Sequence, residues 1–229
     1  MEKLTSKFLK DTGAKVPIIC GPMYPGSNPE LVAAVSNSGG FGVVQPLALT
    51  ILYGHDFREG LQLIKKLTKN PFGVNFTLFG GANKKYHKQM ERWMKISIEE
   101  GVKFFLTSLG KPNEIIKVAK QHQIKVYHDV PNKKVALAMK DSGVDGLNCI
   151  NWRGGGQTGI QSAENFIEEL HDIGIPLICA GGISNKEDYK NALEMGYAGV
   201  QMGTRFLVTH ECKVTQSYKQ AIIESSEED

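Results

Sequence analysis

Short apolar runs recur along the chain, and the stretches between them follow a helical rhythm. The runs are V-P-I-I-C from Val16, F-G-V-V-Q from Phe41, F-G-V-N-F from Phe72 and V-K-F-F-L from Val102. Then come K-V-Y-H-D-V from Lys125, D-G-L-N-C-I from Asp145, P-L-I-C-A from Pro176 and G-V-Q-M-G from Gly199. Each is apolar on successive residues and rich in β-branched or aromatic side chains, the pattern of strands covered on both faces. The intervening segments have readable ends. Asn28 as cap and Pro29 in the first turn open one helix, which Gly39 closes. Another runs from Asn132 to Gly143, and a third from a capping box at Ser184 and Glu187 to Gly196. Gly101 and Gly174 end helices just before strands.

Strand alternating with helix implies an α/β fold with a parallel sheet and right-handed crossovers. Eight such units either close into a barrel or lie open as a doubly wound sheet. The units are nearly equal and no composition break divides them, which favours a (β/α)8 TIM barrel filling residues 1–229 as a single domain. Residues 220–229, which end acidic and serine-containing from Glu224, are expected to fray.

Composition narrows the class. At 41% hydrophobic and 22% charged over 229 residues, there is ample material for one core. A net charge of +3 is too mild to argue for nucleic acid, and lysine pairs such as Lys84-Lys85 and Lys133-Lys134 read as solvated helix faces. Cys20, Cys149, Cys179 and Cys212 are widely spaced and read as reduced thiols, so a cytoplasmic protein is expected. The start is too polar for a secretory signal, and no apolar stretch reaches the roughly 20 residues that span a bilayer. The six histidines show neither H-x-x-x-H nor H-E-x-x-H spacing, so no metal site is expected.

In a barrel the chemistry sits at the C-terminal ends of strands. The seventh strand ends in Ala180-Gly181-Gly182-Ile183 before a helix, and the eighth in Met202-Gly203-Thr204-Arg205. Glycines there let backbone N–H groups approach an anion, and a helix N-terminus adds a favourable dipole. The pair of turns therefore reads as a phosphate site. Gly154-Gly155-Gly156-Gln157-Thr158-Gly159 fits G-x-G-x-x-G, but it follows the sixth strand and the next helix begins only near Ser162. A dinucleotide fingerprint belongs in the first strand–helix turn, so this segment reads instead as a loop passing close to a flat ligand. Gly21, Pro22 and Met23 close the first strand, Asn75 lies in the third, and His128 and Asp129 end the fifth. Asn75 within an apolar strand either satisfies a neighbouring backbone group or meets a heterocycle's edge. His128 is likewise either structural or part of the site.

Together these segments resemble the nitronate monooxygenase family of FMN-dependent barrel enzymes, and related FMN-dependent enoyl-acyl-carrier-protein reductases share the framework. The resemblance runs from P-I-I-C-G-P-M through A-A-V-S-N-S-G-G-F-G and P-F-G-V-N-F-T-L to A-G-G-I and Q-M-G-T-R-F-L-V-T-H-E-C. It implies FMN as cofactor, with Gly21, Pro22 and Met23 near the ring and Asn75 at its polar edge. Gly154, Gly155 and Gly156 would line the loop over it, and Ala180, Gly181, Gly182, Gly203 and Thr204 would hold its phosphate. The implied reaction is oxidation of a small nitronate, with reduction of an enoyl thioester by NAD(P)H and a flavin-free lyase or isomerase as alternatives. Gln157 and His128 are the catalytic candidates. Gln157 stands where the family has a histidine base, and a glutamine cannot take a proton from carbon. The resemblance also implies a lysine at the position of Asp129. Relatives continue past this C-terminus with further helices, so a weakly covered cofactor and a homodimer that covers the mouth are expected.

Overall fold

The computed structural model describes residues 2–78, 84–156 and 158–226. Eight strands close in sequential order into a parallel barrel. They are β1 (Ile18–Cys20), β2 (Phe41–Val44), β3 (Gly73–Thr77), β4 (Phe104–Ser108), β5 (Lys125–Val130), β6 (Gly146–Ile150), β7 (Leu177–Ala180) and β8 (Gly199–Met202). Closure is by β8 on β1, where Ile18, Ile19 and Cys20 pair with Val200, Gln201 and Met202. All eight strands coincide with the apolar runs of the sequence. The barrel, and not the open sheet, is the architecture.

Alternation along each strand sorts the core into two layers. Ile19, Phe41, Val43, Phe104, Leu106, Tyr127 and Ile178 form one buried cluster inside the barrel. Their strand neighbours Val44, Val74, Phe105, Val126, Leu147, Cys149 and Val200 belong to a second cluster shared with the surrounding helices. Continuous apolar sequence is what a strand facing two cores requires. All four cysteines are buried and unpaired.

The outer layer comprises α2 to α8, at Pro29–Asn37, Phe57–Leu67, Lys84–Glu99, Asn113–Gln121, Lys133–Ser142, Ala163–Leu170 and Lys186–Met195. It is completed by the short α9 (Thr204–Leu207) and by α10 (Gln216–Glu224), with a π-helical turn at Ala48–Leu52 after β2. Asn132 and Gly143 cap α6 and Gly196 closes α8, as the sequence implies. Two expectations need correction. The capping box of α8 lies one residue later, between Asn185 and Asp188, because the Asn185 side chain reaches the Glu187 and Asp188 N–H groups. Residues 220–224, where fraying was expected, are helical. Thr215 caps α10, and Lys219, buried beneath it, donates to the Thr209 carbonyl, so the helix holds to Glu224. Residues 227–229 lie outside the described residues.

One element has no counterpart in the reading of the sequence. Residues Glu2–Thr12 form α1, which precedes β1 and drives Phe8 into the N-terminal end of the barrel, where it is fully buried beside the Tyr127 ring. Asp11 on the same helix accepts from the Tyr127 hydroxyl at 3.1 Å and pairs with Lys7 and Lys125, while Lys125 also pairs with Asp145 at 2.9 Å. This end of the barrel is plugged.

Candidate functional site

At the opposite end the strands release their loops into a mouth. β7 runs out into Gly181 and Gly182, both in the left-handed region (φ +116° and +72°). Any side chain is strained at both: a Cβ on Gly181 would stand 2.3 Å from Asn151 Oδ1, and one on Gly182 would stand 2.9 Å from Arg153 Nε and push that side chain aside. Asn151, buried at the end of β6, ties the two loops together. Its amide donates to the Gly181 carbonyl at 2.9 Å and its Oδ1 accepts from the Arg153 N–H at 2.8 Å. Glycine is thus required twice over, for conformation and for the close approach of neighbouring polar groups.

The remaining glycine positions continue this rim. Gly203 caps α9 without a side chain, and a Cβ there would touch the Met23 sulfur at 3.4 Å. Gly155 approaches the Thr204 hydroxyl at 4.0 Å by the same measure, and Gly154 lies against Gly181. Gly21 lies against the Gln201 side chain. Gly21, Pro22, Met23, Gly154, Gly155, Ala180, Gly181, Gly182, Gly203 and Thr204 therefore form one arc over β6, β7, β8 and β1. Gly156 has open space around it. Gln157 lies outside the described residues. The expected dipole of α8 is already partly answered from within the chain: Asn185 accepts from the Glu187 and Asp188 N–H groups, and the Asp188 carboxylate accepts from the Ser184 and Asn185 N–H groups.

The polar residues of the mouth face inward by alternation. Asn75, between outward Val74 and Phe76, donates to the Leu106 carbonyl at 3.0 Å and accepts from the Thr77 hydroxyl at 3.0 Å. Both ends of its amide thus serve the strands, as in the first of the two readings, and each keeps capacity for a further bond. His128 and Asp129 part company. Tyr127 points into the barrel, so His128 projects outward, where Nδ1 lies 2.7 Å from the equally outward Thr107 hydroxyl. That hydroxyl donates its proton to the Tyr127 carbonyl, which leaves His128 Nδ1 as the donor. Burial pushes the imidazole down to about 4, so it is neutral at pH 7.

Asp129 turns inward, with Asn148 and Gln201 in the same mouth. Asn148 Nδ2 donates to Asp129 Oδ1 at 2.7 Å. The Asp129 residue is part-buried. Burial pushes its carboxyl up to about 7, against the lowering effect of the Asn148 bond. Asn148 Oδ1 and Gln201 Oε1 are buried and accept from no donor among the described residues. Orphaned acceptors at a strand-end mouth are what a ligand bearing N–H or O–H groups would satisfy. The glycine arc and these oxygens together fit a phosphate-bearing heterocycle. Beside β2 and β3 a recess lined by Gln45, Asn75 and Thr77 adjoins a hollow of about 450 Å³ walled by Ile51, Phe57, Arg92 and Trp93.

Reasoning from sequence did not single out Asn148, Gln201, Asn151 or Arg153. The first two carry the same signal as Asn75, a polar residue at an inward position of an apolar strand. Asn151 and Arg153 act between loops, and no local pattern marks them.

A family model described as nitronate monooxygenase matches residues 6–229. A protein of Rhodococcus jostii (strain RHA1) named (3aS,4S,5R,7aS)-5-hydroxy-7a-methyl-1-oxo-octahydro-1H-indene-4-carboxyl-CoA dehydrogenase is 29% identical, over 96% of this chain and 60% of that protein. A probable nitronate monooxygenase of Staphylococcus saprophyticus is 27% identical, over 99% of this chain and 75% of that protein. The solved structure of FabK from Thermotoga maritima superposes with a TM-score of 0.84 at 27% identity, over 96% of this chain and 68% of that one. This chain spans only part of the length of each. Among the described residues, no helix is long and apolar enough to cross a membrane.

Proposed function

The chain belongs to the nitronate monooxygenase family, and on that premise we propose that it is an FMN-dependent oxidoreductase oxidising small alkyl nitronates with molecular oxygen. The observation that carries this reading is the glycine arc at the ends of β7 and β8, the recurrent phosphate position of such barrels. FMN, when bound, supplies the redox chemistry. The protein's own contribution is binding and orientation. Gly181, Gly182, Gly203 and Thr204 offer N–H and hydroxyl donors to the phosphate, with the Arg153 guanidinium beside Gly182. Gly21, Pro22 and Met23 line the ring from β1, Gly154 to Gly156 cover it from β6, and Asn75 meets it from β3. Gln157 orients an already anionic substrate by hydrogen bonding and takes no proton from it. His128 acts only through the strand, as a neutral prop that fixes the β4–β5 seam beside Asp129.

Replacing Gly182 with Asp puts a negative charge and a side chain into the phosphate position. The Gly182→Asp protein is expected to lose FMN affinity by at least about a hundredfold, read by fluorescence titration. Retention of FMN at parental affinity would overturn the site assignment. Because Gln157 is no base, nitronates should be turned over about 10²–10⁴ times faster than the neutral nitroalkanes, the range that general-base catalysis supplies. Equal rates would show that another group removes the proton.

A second reading, redox chemistry on a CoA or acyl-carrier thioester with NAD(P)H, is favoured by the thioester in the name of the Rhodococcus relative and by the 450 Å³ hollow beside the mouth. Anaerobic spectra separate the two. Bleaching by nitronate alone supports the first and bleaching by NADH the second, while a colourless protein overturns both in favour of a flavin-free barrel enzyme.

A further inference from the structure

The mouth holds an excess of acceptors. Asn148 Oδ1 and Gln201 Oε1 are orphaned, and Asp129 Oδ2 has no donor among the described residues, where Asn148 supplies only the bond to Oδ1. Among the described residues no cation pairs with the carboxylate. On its own strand, Lys125 lies toward the plugged end in its pairs with Asp11 and Asp145, and His128 faces outward. The adjoining β4 has no ionisable side chain, and the one in β6, Cys149, lies in the outer cluster. Helices α5 and α6 pack on the outer face of β5, the side away from Asp129. What keeps the anion acceptable in the open protein is water entering from the mouth, since Asp129 retains some exposure.

A ring seated over that mouth removes this water. Its own carbonyls and ring nitrogens are acceptors, and they would face a carboxylate and two amide oxygens. One proton resolves the conflict by turning an acceptor into a donor.

We infer that Asp129 couples cofactor binding to proton uptake: as FMN covers the mouth, the Asp129 carboxylate takes one proton from solvent and meets the ring as a neutral hydrogen-bond donor. This rests on the reading of the mouth as an FMN site. The bond formed is the carboxyl O–H, the proton comes from solvent buffer, and no electrons move. The upward displacement that burial already imposes on this carboxyl acts in the same sense. This chain thus carries at its mouth a group that becomes fully neutral on binding and that charges as pH rises.

The test uses the holoprotein, diluted at pH 6.5 to 9 while free FMN is read by its fluorescence. Affinity of the parent protein should fall about tenfold per pH unit once pH exceeds about 8, and Asp129→Asn should be flat across the same range. Titration calorimetry of FMN into the parent protein at pH 7.5, in HEPES and in Tris, gives a second measurement that needs no variant. It should report uptake of about half to one proton per FMN. A flat parent profile with no buffer dependence overturns the inference and leaves the FMN reading standing, as does an equal slope in Asp129→Asn. Failure of FMN to bind at any pH overturns both.

Discussion

The two ends of this barrel are built on opposite principles. At the N-terminal end α1 fills the opening, Phe8 is fully buried, and Lys7, Asp11, Lys125, Tyr127 and Asp145 satisfy one another. At the C-terminal end glycines replace side chains, and among the described residues two amide oxygens lack donors and Asp129 has no counter-charge. Satisfied polar groups and filled volume stabilise, whereas unsatisfied groups hold back stability that a ligand can recover. The difference locates stability at one end and recognition at the other, within strands only four to six residues long on most staves.

That division breaks most visibly at Phe8. Phe8→Ala removes a fully buried ring from the plug and should cost about 3–5 kcal/mol in urea unfolding. FMN affinity of the folded fraction should stay within about twofold of the parent. A matching loss of affinity would mean that the two ends are coupled through the barrel interior, and the division would fail.

The same division explains what the sequence disclosed. The eight strands were legible because burial on both faces leaves an unbroken apolar run, as in F-G-V-V or L-I-C-A. The glycines of the mouth were legible because A-G-G-I and M-G-T-R have few other uses at strand ends. The plug was not. Its helix is mostly polar, and the single decisive residue, Phe8, acts through contacts with β5 more than a hundred residues away. Neither was the division of labour between His128 and Asp129. Adjacent strand residues always face opposite ways, but which one faces inward is fixed by where Tyr127 meets Phe8 and Phe104. The cap of α8 slipped from Ser184 to Asn185 because both residues cap well, and only backbone geometry chooses between them.

His128 and Asp129 also tilt stability in opposite directions. Burial holds the folded imidazole at about 4, below its ordinary 6.5, so the unfolded chain binds more protons between those values. Stability from this residue is therefore lost as pH falls from 6.5 through 4, by about 3 kcal/mol at most. Asp129, displaced upward, binds its proton more tightly in the folded protein, so its contribution is lost as pH rises toward 7. Urea midpoints measured from pH 7 down to 4 should therefore change little for the parent, whose two slopes offset each other, and rise for His128→Gln, which keeps only the Asp129 slope. An identical acid limb in both proteins would place the titrating group elsewhere.

The smallest effect separates two structures within the open end. The N-terminus of α8 stands next to Gly182 and carries the dipole that sequence reasoning assigned to phosphate. Its N–H groups are already engaged: Asn185 Oδ1 accepts from Glu187 and Asp188, and the Asp188 carboxylate accepts from Ser184 and Asn185. The Ser184 N–H bond, first among several, holds Asp188 below the ordinary carboxylate range, so a negative charge already occupies the end of the helix. A second anion gains little from a terminus neutralised in this way. Asn185→Ala should therefore cost about 1 kcal/mol of stability through the lost cap while leaving FMN affinity unchanged. Affinity that falls more than about threefold in this variant would show that the α8 terminus belongs to the phosphate site after all, and that the glycine arc does not hold the anion alone.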